Sequence, residues 1–234
     1  RTGIGVLRTD NPGAHVLRVV FAAIGVQFWV AGLATVPIWQ AIALIMTSPF
    51  FVTLGAGLLL GEHVGPSRWM ATLAGFVGGM IILAPWSDSF TTATLLPVAA
   101  AICWAATSLM TKRLTEDESS RTVTLYMLLL LTPINAGLAA TAGGFAVSGA
   151  TAAGLIIFAG VLTMLAQFLI VRAYATADAA YVQPFDHLKL PLNVLAGWLV
   201  FGFVPGGNLW LGSALIIGAS IFIAHREARQ LVPA

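Results

Sequence analysis

Apolar runs separated by short polar or Gly/Pro-bearing segments recur along the whole chain. A run of about 17 to 25 apolar residues can cross a bilayer core as a helix. On this pattern span one is about Val19 to Val36 and, after Pro37, span two about Ala41 to Leu60. Span three follows the turn Gly61-Glu62-His63-Val64-Gly65-Pro66 as about Trp69 to Leu83, and Pro85-Trp86-Ser87-Asp88 is a loop. Span four is about Leu95 to Met110, and the most charged segment, Lys112-Arg113 to Arg121, comes next. Spans five (about Val123 to Ala140) and six (about Gly154 to Val171) flank Gly143-Gly144. Span seven is about Ala179 to Val200, Pro205-Gly206-Gly207 turns the chain, and span eight is about Leu209 to Ala224. Arg1 to Arg18, with Asn11-Pro12-Gly13 as a turn signal, reads as a loop. The predicted fold class is all-α integral membrane with eight transmembrane helices.

Composition sharpens this picture. Charged residues make up 9% of the chain and the mean hydropathy is +0.93, whereas soluble domains carry about 25% charged residues. The sequence pI near 9.0 comes from Lys and Arg in loops, without a basic helix or stripe, so nucleic acid is not an expected partner. Cys103 is the one cysteine, which leaves no disulfide framework and no cysteine-based metal site within the chain. His-Glu-x-x-His, Gly-x-Ser-x-Gly and phosphate-loop patterns are missing from the sequence, so neither an enzyme nor an ATP-driven pump is expected. No cofactor is called for. A chain beginning at Arg1 rather than Met reads as a fragment or processed form.

Threading eight spans puts Arg1, Arg8, Arg18, Arg68, Lys112, Arg113, Arg121, Arg172, Arg226 and Arg229 in or beside loops of one side, while Asp88 marks the other. The positive-inside rule makes the basic side cytoplasmic, and with it both ends of the chain. Lys189 is the exception, lying within a span. An ungapped shift of 141 residues (202 − 61) pairs Gly61 with Gly202, Ala34-Thr35 with Ala175-Thr176, Gly65 with Gly206, Trp69 with Trp210 and Ile82 with Ile223. It maps spans one to three onto spans six to eight. A displacement of five helices makes the two copies cross the membrane in opposite senses, the arrangement that builds midplane sites in secondary transporters.

The polar stretch from Tyr181 to Trp198 stands out inside span seven. Asp186 and Lys189, unpaired near a bilayer centre, would together cost about 5 to 7 kcal/mol on insertion scales. Helical spacing puts Asp186, Lys189 and Asn193 on one face, with Gln183 and His187 at its edge. Pro184 and Pro191 free the carbonyls of Ala180 and His187. The expectation is a kinked, polar helix facing a cavity, although an intrahelical ion pair is the plain structural alternative. Under the 141-residue shift Asp186, His187, Lys189 and Asn193 correspond to Ile45, Met46, Ser48 and Val52, so the charges belong to one half only and a purely architectural need does not account for them. Trp104, beside Cys103, Thr107 and Ser108, and Phe185 are the aromatic candidates for a cavity wall; Trp29 is another, and Trp39 and Tyr181 read as interfacial anchors. Gln27 and Gln167 sit mid-span. Gly57/Gly61 and Gly75/Gly79 are small-xxx-small spacings for close helix packing. Glu62 with His63 reads as a solvated pair or helix cap, and Arg172 with Asp178 as a gate or anchor.

Five-helix units, short loops and a loop-borne Gly-Glu after a fourth helix resemble the EamA-type repeats of the drug/metabolite transporter (DMT) superfamily. The resemblance covers essentially the whole chain. It implies two inverted-topology EamA-like repeats, residues 1–85 (three spans, lacking the two opening helices) and residues 91–228 (five spans). Gly61-Glu62 keeps the family's Gly-Glu, whereas the second copy reads Gly202-Phe203. The resemblance further implies secondary transport of a small organic metabolite across the bacterial inner membrane through a central cavity. The substrate-binding candidates are Asp186, Lys189, His187, Asn193, Gln183, Trp104 and Phe185, a mixture that suits an amino acid or related zwitterion. Riboflavin or S-adenosylmethionine is the alternative, a non-transporting helical fragment another, and an intramembrane enzyme using Asp186 and His187 as acid and base the least favoured. The expected partners are the metabolite and the lipid bilayer, with a homodimer as an option.

Overall fold

A computed structural model describes residues 8–36, 38–83, 92–141, 149–189, 191–192, 195, 198–199, 202 and 207–230. The regular structure of the described residues is helical: α1 (Pro12–Thr35), α2 (Ile38–Ile45), α3 (Ser48–Leu59), α4 (Pro66–Leu83), a 3-10 turn (Thr92–Thr94), α5 (Leu95–Asp117), α6 (Ser120–Thr141), α7 (Gly149–Thr176), α8 (Ala179–Asp186) and α9 (Gly207–Gln230). Helices α1, α5, α6 and α7 are each long and apolar enough to cross a membrane; α3 and the Trp210–Phe222 part of α9 are apolar but shorter. Side chains of α7 are exposed along most of its length, including Leu155, Phe158, Leu162 and Leu169, as suits a surface meeting hydrocarbon rather than water.

Where described, the apolar runs expected to cross the membrane are helical apart from breaks at Met46-Thr47 and His187-Leu188, and the departures lie at polar or Pro-bearing points. The N-terminal loop stops earlier than expected, because α1 begins at Pro12 rather than after Arg18. Proline in the first helical turn forgoes an N–H that has no partner there anyway. Asn11 O accepts the N–H groups of Ala14 (3.1 Å) and His15 (3.3 Å), so Asn11-Pro12-Gly13 starts a helix instead of turning the chain. Span two is two helices. Pro49, within the first turn of α3, cannot donate to the carbonyl four residues back, and Thr47 turns onto Leu44 O through both its N–H (3.2 Å) and Oγ1 (2.7 Å).

The matched glycines Gly61 (φ 68°) and Gly202 (φ 66°) both adopt the left-handed conformation. The same 141-residue shift carries the end of α1 at Thr35 onto the end of α7 at Thr176, α2 onto α8, and the start of α4 onto the start of α9. The loops Pro85 to Asp88 and Gly143-Gly144, the turn at Pro205-Gly206, Pro37 and Phe203 lie outside the described residues.

The chain forms two compact units. One comprises Arg1–Ala23 with Met110–Ala177. Its apolar contacts are Val19, Ala22 and Met127 on one side and Leu114, Val123 and Val171 on the other. It also buries His15 and Arg18 completely. Arg18 donates to Thr111 Oγ1 (3.3 Å) and Val123 O (2.6 Å); His15 stacks on Tyr126, ring centroids 4.4 Å apart. His15 Nε2 lies 2.9 Å from Glu118 Oε2, and Thr9 Oγ1 donates to the other Glu118 oxygen. Lys112 Nζ donates to Tyr174 O (3.2 Å) and Ala177 O (3.0 Å), a cation on the exposed carbonyls at the end of α7.

The second unit comprises Ile24–Leu109 with Asp178–Ala234, and every described candidate for substrate binding belongs to it. Its core gathers Leu44, Ile45, Met46, Ala100, Ala101 and Ile216, with Phe28, Trp29, Trp104 and Leu188 against them. Small residues set the spacing. A Cβ on Gly78 would stand 2.8 Å from Gly212 O, so α4 and α9 pack backbone to backbone there, as small residues allow in membrane helices.

Candidate functional site

Helix α8 is short because its sequence cannot sustain a longer one. Pro184, inside it, lacks the N–H that would reach Ala180 O, and Pro191 lacks the one for His187 O. At the break Leu188 N–H turns to Phe185 O (3.0 Å), leaving Pro184 O without its helical donor. Ser220 on α9 fills that role, its hydroxyl reaching Pro184 O at 3.0 Å. Helical bonding resumes with Leu192 N–H to Leu188 O (3.3 Å). The kink expected in span seven is thus present, and a neighbouring helix satisfies one of the groups it frees.

His187 sits at this break, fully buried, with its imidazole pressed on Gly75 of α4, where a Cβ would overlap the ring. Neither ring nitrogen has a hydrogen bond of good geometry among the described residues. Thr72 Oγ1 lies 3.3 Å from Thr53 Oγ1 of α3, both buried. A buried polar group without a partner costs about 1 to 3 kcal/mol, so this imidazole holds hydrogen-bonding capacity that a bound solute or water could use.

Gln183, one turn earlier, is also buried; its amide reaches Ala179 O at 3.4 Å. Asp186 and Lys189 form an ion pair at 2.6 Å, their side chains 38% and 44% exposed. They are paired with each other yet not sealed. Phe185 meets Tyr181 edge to face, centroids 5.5 Å apart. Trp104 of α5 is tilted against Trp29 of α1 at 5.9 Å, and the edge of its indole covers Gly25, where a Cβ would come within 2.8 Å. Asn193 and the side chain of Trp39 lie outside the described residues. Gln27 is exposed and Gln167 half-buried.

Two polar arrangements escaped the sequence reading. The first is the His15, Arg18 and Glu118 cluster: the sequence reads Arg18 as the end of a loop, and its partners Thr111 and Val123 lie about a hundred positions away. Burial alone would raise the Glu118 carboxyl, but hydrogen bonds from Thr9 and His15, the charge of His15 and the Asn11 backbone outweigh it, leaving the pKa below the ordinary carboxylate value. The second is the junction preceding α8. Asp178 pairs with Arg68 at 2.7 Å, and the Glu62 carboxylate accepts the N–H groups of Ala179 (2.8 Å) and Ala180 (3.0 Å). Glu62 is therefore a helix cap, as one of its two readings expected, but for a helix remote in sequence.

Comparison with known proteins places the fold first. A solved crystal structure superposes with a TM-score of 0.79 at 20% identity, covering 99% of this chain and 82% of that one, so the fold is that of a known helical protein. The model of the EamA-like transporter family matches residues 5–84 and 91–224. The chain belongs to the EamA-like transporter family, and with it to the multi-pass membrane transporters of the DMT superfamily. It is 62% identical to a riboflavin transporter of Rhizobium johnstonii over 98% of this chain and 76% of that protein. A riboflavin transporter of Vibrio cholerae is 56% identical over 96% of this chain and 75% of its own length. An S-adenosylmethionine uptake transporter of Rickettsia bellii is more distant, 27% identical over 98% of this chain and 78% of its own length.

Proposed function

We propose that this protein is a secondary transporter of riboflavin. The carrying observation is the 62% identity to a riboflavin transporter across nearly the whole chain; the relatives thus favour the flavin alternative over an amino acid. The residue chemistry agrees. The isoalloxazine ring is planar, aromatic and uncharged at neutral pH, with hydrogen-bonding edges, and the ribityl chain carries hydroxyls. Trp104 and Phe185 offer ring faces, which make offset or edge contacts worth about 0.5 to 1.5 kcal/mol beyond area burial. Gln183, His187 and Asn193 offer neutral hydrogen bonds. A neutral solute needs no separate countercharges, so Asp186 and Lys189 pair with each other and supply polar contacts from that pair.

In this reading the eight apolar segments cross the bacterial inner membrane, both ends face the cytoplasm, and residues 1–85 and 91–228 are inverted-topology repeats. The breaks at Met46-Thr47 and His187-Leu188 occupy matched positions in α2/α3 and α8, consistent with discontinuous helices near a substrate site. The reading requires no second copy of the chain. The test is flux of labelled riboflavin into proteoliposomes holding the purified chain. Saturable flux suppressed by unlabelled riboflavin, and not by S-adenosylmethionine or amino acids, is expected. Absence of flux, or equal suppression by those competitors, would overturn it.

A further inference from the structure

Helix α8 carries Gln183 and Asp186 and ends at His187, yet its own N-terminal residue does not secure it. Asp178 occupies the N-cap position in extended conformation (φ −61°, ψ 145°) but makes no side-chain cap hydrogen bond; its carboxylate is engaged by Arg68. The orphan N–H groups of the first turn are instead taken by Glu62, one oxygen to Ala179 and the other to Ala180. Glu62 itself is held at the end of α3. Gly61 is left-handed, and Leu60 N–H and Glu62 N–H both return to Ala56 O (3.2 and 3.1 Å), which folds the residue after the glycine back onto the last turn of α3. The Glu62 carboxylate thereby links the end of α3 to the start of α8, two helices that also pack against each other. Phe203 follows the matched Gly202 in sequence, so the second copy has no carboxylate at this position.

We propose that Glu62 is a positioning residue for substrate recognition: by bracketing the first turn of α8 it fixes the rotation and depth at which Gln183 and the His187 break meet the solute. Gln183 lies one helical turn beyond the bracketed amides, so freeing that turn displaces it directly. The inference rests on the flavin reading for its solute, and its test separates the two.

The purified chain, wild type and Glu62→Gln, is measured in proteoliposomes for riboflavin KM and maximal rate, and by amide hydrogen exchange without substrate. Gln keeps the size but accepts through one oxygen. The expected result is a KM raised by about tenfold, the factor that loss of one charge-assisted hydrogen bond produces, with the maximal rate per inserted protein little changed. Exchange should accelerate in the peptide covering Ala179 to His187 and stay unchanged in α6. Unchanged KM with a reduced rate, or unchanged exchange in α8, would overturn the proposal. Glu62→Asp, which keeps the charge on a shorter arm, is expected to show the same changes to a smaller degree, and it carries the test if the Gln variant does not insert. A wild-type chain that moves no riboflavin refutes the flavin reading, and the exchange measurement then decides on positioning by itself.

Discussion

Replacing Gly75 by Ala puts a methyl group where the His187 imidazole now lies. Besides the ring carbon it would overlap, the added Cβ would stand 2.8 Å from both Cγ and Nε2 of His187, whereas non-bonded carbons are at ease at about 3.5 to 4.0 Å. The ring is fully buried and cannot swing outward, so it must be pushed, or α4 must part from the α8 break, by about 0.7 Å or more. Overpacking of this kind costs about 1 to 3 kcal/mol, and Ala recovers about 1 kcal/mol of helix propensity. The net expectation is a loss of up to about 2 kcal/mol. Reversible unfolding in mixed detergent micelles should register it, and the double variant Gly75→Ala/His187→Ala should recover part of the loss. A cycle in which the two substitutions add within about 0.5 kcal/mol would refute the contact and the reasoning built on it.

Ser220→Ala removes the donor to Pro184 O and, with a buried carbonyl left short, should cost about 1 to 3 kcal/mol in the same unfolding assay; no loss would mean the break is satisfied otherwise. The double variant Asp186→Asn/Lys189→Ala removes both charges and leaves no unpaired ion in span seven, so stability should hardly move while riboflavin flux falls, a split that flux and unfolding measured on the same samples will reveal. Glu118 has a folded-state pKa below its unfolded value, so the stability it adds is complete above the unfolded value of about 4.3 and is lost as pH falls through the folded one. The stability gap between wild type and Glu118→Gln should therefore close on acidification below about pH 4.3, and a gap that widens would contradict the assignment.

Much of the helical order was legible because apolar runs long enough to span a bilayer leave few alternatives, and because Pro184 and Pro191 announce a break by removing two donors. Gly61 and Gly202 were legible as matched turns for the same reason, since left-handed backbone selects glycine. Span two misled because its break rests on three residues, Thr47-Ser48-Pro49, inside an otherwise apolar run. Arg18 misled because a charge closing a segment that carries Asn11-Pro12-Gly13 resembles a loop until Thr111 and Val123 are brought to it. The Asp186 and Lys189 pair was visible from i, i+3 spacing alone, whereas the roles of Glu62 and Ser220 depend on partners 117 and 36 positions away, which no local pattern records.

The account stands most directly on equilibrium binding, read as quenching of riboflavin fluorescence by the purified chain. It predicts saturable quenching at one site per chain, weakened by Trp104→Ala and by Gln183→Leu. Quenching that never saturates, or that both variants match, would contradict it.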